Sequence, residues 1–148
     1  MHAKTTFSTD NFDIAQFRPH GRVDFKIDGN LILCEAFGPF DTELLKAIKG
    51  IETGLIRQVM EQGKWGQIVI MRENIFVSNE AVAWFGDYLK WLASRDMNSS
   101  SSAMVIEDDV EGVGEMVPLL VEAYKQAGLT MNVFKTLNEA KVWVKLHL

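Results

Sequence analysis

Three aromatic side chains, Trp84, Tyr88 and Trp91, stand at i, i+4 and i+7, the spacing that lines them up on one stripe of a helix. The same stretch carries Val82, Phe85, Leu89 and Leu92 on a second stripe, about 110° round the axis at roughly 100° per residue. A helix lying on a sheet buries one face, so a second apolar stripe predicts a further neighbour. That neighbour is an adjoining helix sharing a broad core face, another chain, or an apolar ligand. Trp and Tyr are favoured anchors where chains meet, and Met60, Met71, Met104 and Met116 are adaptable enough to line a pocket. Trp84, Tyr88 and Trp91 are therefore the candidate interaction or ligand-face residues.

The remaining chemistry-bearing residues are sparse. Ser78 precedes the aromatic helix, where a phosphate would meet free N–H groups and the positive end of the dipole. A serine there also serves as an ordinary N-cap, so it is a phosphoacceptor candidate with a plain structural alternative. The acidic run Glu107-Asp-Asp-Val-Glu-Gly-Val-Gly-Glu115 clusters oxygens that suit a divalent cation, but it lacks EF-hand spacing, and acids before a helix are favoured by its dipole anyway. Its Asp pair is followed by too little chain for a receiver-type sheet. Gly112-Val-Gly114 has Val117 where a dinucleotide fingerprint needs its third glycine. Cys34 lies in an apolar strand and reads as a core thiol. His2, His20 and His147 are far apart, giving no zinc spacing with the one cysteine. No nucleophile motif announces a catalytic constellation, so the expectation is a non-enzymatic protein with no catalytic residue, metal or cofactor.

Composition bounds the rest. The 148 residues suit one domain with one sizeable core. Twenty acidic against 15 basic side chains leave a net charge of −5, with no basic stripe for a nucleic acid. The longest apolar run, Ala81 to Phe85, is far short of the roughly 18 residues of a membrane span. The polar start, Met1 to Asp10, has no signal-like apolar segment, which leads to the expectation of a cytoplasmic protein, and a single cysteine permits no internal disulfide.

The elements that must position these residues follow from periodicity. Arg22 to Ile27 alternates polar and apolar, Asp28-Gly29-Asn30 supplies turn chemistry, and Leu31 to Phe37 returns as a more apolar strand: a hairpin. Upstream, Phe12 to Phe17 suits an edge strand, and residues 1–20 read as an arm whose first ten residues are loose. After Gly38-Pro39 the period changes to 3.6, with Leu44, Ile48, Ile51, Leu55 and Val59 recurring to about Gln62. Asp41 caps this helix, Phe40 and Leu45 form its staple, and Gly50 and Gly54 within it suggest close packing. Gln67 to Met71 reads as a central strand, and Ser78 caps a helix running to about Arg95 with Val77 and Val82 as staple. Met97 to Ser102 is a polar loop. Ala103 to Ile106 is a buried strand, Glu115 to Ala127 a helix stopped by Gly128, Met131 to Phe134 the last strand, and Thr136-Leu-Asn-Glu139 a capping box opening the terminal helix. Strands alternating with single helices run parallel through right-handed crossovers. The fold class is α/β: a mixed sheet with an N-terminal antiparallel hairpin, βαβαβα crossovers and about four helices.

This order, with Asp28-Gly-Asn-Leu-Ile32 leading to Ala36-Phe-Gly-Pro-Phe40 and the ending Asn132-Val-Phe-Lys-Thr-Leu-Asn-Glu-Ala-Lys-Val-Trp143, resembles the SpoIIAA-like fold of STAS domains and, more distantly, CRAL-TRIO lipid-binding modules. The resemblance covers about Gly21 to Leu148. In the anti-sigma-factor antagonists of that family an Asp-Ser-Ser-Gly-type motif carries a phosphorylated serine at the start of the helix after the central strand. Here Arg72 to Glu80 lacks the motif and only Ser78 stands in a comparable place. The resemblance implies a regulatory or protein-interaction module, expected to act as a homodimer with an unknown protein partner. The alternative it implies is a carrier or sensor of a small apolar or lipid-like molecule.

Overall fold

The computed structural model describes residues 6–8 and 21–148. Its elements run β1 (Thr6–Ser8), β2 (Arg22–Asp28), β3 (Leu31–Phe37), α1 (Thr42–Met60), β4 (Gly66–Arg72), α2 (Asn79–Ser94), β5 (Ser101–Ile106), α3 (Val113–Gln126), β6 (Met131–Phe134) and α4 (Leu137–Lys145). Three predicted helix caps are present as chemistry, while α3 starts at Val113, two residues before the expected Glu115, with Gly112 as an N-cap that has no side-chain hydrogen bond. The Asp41 carboxylate accepts from the Leu44 N–H at 2.9 Å, Ser78 Oγ from the Ala81 N–H at 3.2 Å, and Thr136 Oγ1 from the Glu139 N–H at 3.2 Å. Each satisfies a donor the helix itself cannot. Gly29, at φ +64°, turns β2 into β3 in a conformation that glycine adopts without penalty.

The six strands lie in sequence order, β1-β2-β3-β4-β5-β6. The first two pairings are antiparallel and the last three parallel, so the sheet is mixed with the antiparallel part at the N-terminal side. The strand order also decides where the helices go. Each crossover from β3 to β6 steps one strand in the same direction, and right-handed connections stepping one way all pass over the same face. Buried residues of α1, α2 and α3 accordingly share one core with Val23, Phe25, Ile32, Cys34, Met71 and Met104 from one side of the sheet. Helix α4 follows β6. It turns back over the opposite face, where Ala140 and Val144 pack on Leu31, Ile68, Ala103 and Val105. A Cβ at Gly66 would collide with Val144, so the glycine allows the close approach of α4 to the centre of the sheet.

Three expectations are corrected. The first ten residues, expected to be loose, contribute β1, its Thr6 opposite Lys26 and Ser8 opposite Asp24, because an open β2 edge offers unpaired backbone groups that a short β-forming segment can take up; the edge strand expected at Phe12 to Phe17 lies outside the described residues. Ser101 and Ser102 are buried members of β5 rather than loop, since pairing with Gly66, Gln67 and Met131 carries the ladder through them. Gly50 and Gly54 mark no close packing: both are exposed, and a Cβ built at Gly54 meets nothing within 4 Å.

Gly54→Ala is therefore expected to stabilise the protein by about 0.5–1 kcal/mol, raising Tm by about 1–4 °C. Gly38→Ala, whose Cβ would strike the Asn74 carbonyl oxygen, is expected to lower it. Thermal melts of the two variants beside the parent check both signs.

Candidate functional site

Helix α1 presents a charged residue where its pattern calls for an apolar one. Glu52 stands four residues after Ile48 and three before Leu55, on the stripe that faces the sheet, and it is only 7% exposed. A carboxyl buried this way must be hydrogen-bonded. The Tyr88 hydroxyl of α2 donates to Oε1 at 2.7 Å, and the Gln67 side-chain N–H of β4 donates to Oε2 at 2.5 Å. The same Gln67 amide approaches Cys34 Sγ of β3 at 3.6 Å. Among the described residues no cation pairs with Glu52. Desolvation pushes its carboxyl above the usual range, against the two hydrogen bonds that favour the ionised form.

These groups sit at one side of a cavity of about 100 Å³ between the sheet and α1, α2 and α3. The remaining lining is almost entirely apolar, with Phe25, Ala36, Val69, Met71 and Met104 from the sheet and Phe40, Leu89, Leu92 and Leu120 among the residues facing them. Ile48, Val77, Trp84 and Phe85 are half-buried lining residues, so there the wall is one side chain thick. Tyr124 of α3 closes the polar side: burial first, then the proximity of Glu52 and Cys34, push its hydroxyl pKa up. The Tyr88 phenol is raised for the same leading reason, with the Glu52 charge and hydrogen bond adding to it. Burial likewise pushes the Cys34 thiol up. The Tyr88 and Tyr124 hydroxyls and the Cys34 thiol thus hold their protons, and none is an activated nucleophile.

The aromatic stripe of α2 faces α1. Tyr88 is buried, while Trp84 and Trp91 are half-buried, and the three rings stack in sequence with centroids 5.6 and 6.2 Å apart. Lys49, one turn before Glu52, lays its ammonium 4.4 Å from the Trp91 ring centroid, 5.8 Å from Tyr88 and 6.0 Å from Trp84. The second stripe is thus a wall shared with α1: its outer side carries a cation–π contact, and through Trp84 and Tyr88 it lines the cavity. Of the four methionines, Met71 and Met104 line the cavity; Met116 instead receives the Val77 N–H on its sulfur at 3.3 Å.

Ser78 is elsewhere. It is an exposed N-cap beside an open depression formed with Pro39, Phe40, Asp41, Phe76 and Val77, and Phe40 and Val77 separate that depression from the cavity. The acidic loop is engaged in ion pairs: Asp108 with Lys135 at 2.8 Å and Glu107 with Arg72 at 3.7 Å. Among the described residues no group of three His, Cys, Asp or Glu side chains is arranged to hold a metal. His2 and His20 lie outside the described residues; His147 rests against Trp143. No described helix is long and apolar enough to cross a membrane.

Comparison with protein-family models, with curated proteins and with solved structures finds no match. The site therefore rests on its own geometry.

Glu52, Gln67 and Tyr124 were not among the residues singled out from the sequence. The signal for Glu52 was present as a charge at an apolar-stripe position of α1; Gln67 and Tyr124 carried none, since their meeting depends on the sheet order.

A carboxyl that keeps its proton to higher pH when folded contributes stability that is complete below the unfolded pKa of about 4.3 and is lost as pH rises through the folded value. Glu52→Gln preserves shape, and Gln67 can turn its amide to present oxygen. It is expected to remove that part of the decline in Tm above about pH 4.3. Thermal melts from pH 4 to 8 check this; parallel curves for parent and variant would contradict it.

Proposed function

We propose that this protein is a non-enzymatic carrier or sensor that takes a small, largely apolar molecule into the cavity between its sheet and α1 to α3. The observation that carries this is the cavity itself, apolar around most of its wall and provided with one convergent polar group, Glu52 with its donors Tyr88 and Gln67. This is the make-up of a ligand site. Its tyrosine hydroxyls and its thiol hold their protons, which favours binding without transformation. A volume of about 100 Å³ is below the roughly 150 Å³ of a cavity that accepts benzene, so the ligand is a compact molecule and not a lipid chain. The partner is a small molecule rather than a nucleic acid, and the setting is the cytoplasm.

The test is occupancy. With methyl-labelled methionine, xenon or cyclopentane is expected to shift the Met71 and Met104 resonances and leave Met60, which does not line the cavity, unchanged. Filling the space by Ala36→Met is expected to abolish the response. Absence of any shift in the folded parent protein would overturn the proposal.

A second reading, the STAS-like homodimeric interaction module, is favoured by one surface feature. Val142 on α4 and Leu146 at its C-cap are 63% and 78% exposed, an apolar pair of the kind interfaces cover. A native mass spectrum is expected to show a dimer that Val142→Lys dissociates if this reading holds; a monomer throughout removes it.

A further inference from the structure

The polar corner of the cavity is more specific than a generic hydrogen-bonding spot, because of what it contains and what it omits. It contains a carboxyl group. A carboxylate offers about four lone-pair sites, and Glu52 has one donor on each oxygen, both from neutral groups, so acceptor capacity remains. Among the described residues it omits any cation: the lining includes no Lys, Arg or His, and the nearby Lys49 ammonium is seated on the aromatic rings of α2.

Those two facts sort ligands by charge. An acid entering the cavity would place a second carboxylate beside Glu52 with nothing to neutralise either. An alkane would use the apolar wall and leave the carboxyl unaddressed. An alcohol would supply one neutral donor. An ammonium would supply several donors and the opposite charge, and a charge-assisted hydrogen bond is roughly twice as strong as a neutral one. Desolvation of a buried ion pair ordinarily costs much of what the pair gains, but here the burial of the anionic partner is already borne by folding. The walls agree with a cation as well. Phe40, Trp84, Phe85 and Tyr88 all line the cavity, and aromatic faces attract cations.

Size narrows the choice. An apolar cavity of about 150 Å³ accepts benzene, so one of about 100 Å³ accommodates a smaller body. We infer that the ligand is a compact alkyl amine of about five non-hydrogen atoms, bound as its ammonium with the nitrogen at Glu52 and the alkyl group against Met71, Met104 and the aromatic wall. This rests on the cavity being a binding site, and the experiment separates the two claims.

Isobutylamine, isobutanol and isobutyrate are titrated into the full chain beside xenon, with the Met71 and Met104 methyl resonances as readout. Isobutylamine is expected to bind at least about tenfold more tightly than either isobutanol or isobutyrate. Glu52→Gln and, as a second variant that removes the polar group altogether, Glu52→Leu are each expected to erase that preference while still admitting xenon. Xenon binding without a preference for the amine would overturn the ligand class and leave the cavity standing as a site. No response to any probe, xenon included, would overturn the site. An amine preference that survives in either folded variant would overturn the role given to Glu52.

Discussion

A carboxyl group removed from water with no cation beside it must be held by hydrogen-bond donors, and the donors available to Glu52 belong to two other elements. Tyr88 reaches it from α2 and Gln67 from β4. The requirement therefore ties α1 to both its neighbours at one point, and the tie is directional in a core where most other contacts are not. It also sets the character of the space around it. Side chains that close on Glu52 from three elements leave a polar corner, and the aliphatic and aromatic residues beyond it complete an apolar wall. The stacked rings of Trp84, Tyr88 and Trp91, with Lys49 laid across them, are the outer side of the same arrangement.

The sheet makes this possible by putting three helices on one side. Sequential strand order with crossovers of one hand leaves no alternative, so α1, α2 and α3 meet over β2 to β6, while α4 alone covers the opposite face. The two faces are packed differently. Under α4 the contact residues are small or aliphatic, and Gly66 lets the helix come close. On the other face the helices bring large rings and a carboxyl to the sheet, and these pack with a void at their centre. Function is assigned to the face where packing is incomplete and polar groups converge.

Much of the fold was legible from residue type and spacing. The caps at Asp41, Ser78 and Thr136, the hairpin around Gly29 and the buried strand at Gln67 to Met71 are local features, decided within a few residues of themselves. The misreadings have a common cause. Gly50 and Gly54 look like packing glycines until the helix is docked with that side toward water, and Ser101 and Ser102 look like loop until neighbouring strands extend the ladder through them. The candidate site was half legible: the double stripe of α2 pointed to Tyr88 and Trp84, and Cys34 was placed in a buried strand, but the Glu52 partners were not foreseen.

What the sequence determined by itself is therefore the set of elements, their caps, the α/β class and the presence of surplus apolar surface on α2, because these follow from local hydrogen bonding and from periodicities of 2 and 3.6. Only the tertiary structure decided that this surplus faces α1 rather than open water, and that Glu52, Gln67 and Tyr124, spread over 73 positions of chain, share one cavity. The physical reason is that burial and partnership are relations between elements: they depend on strand order and on the face each helix takes, which no local pattern encodes.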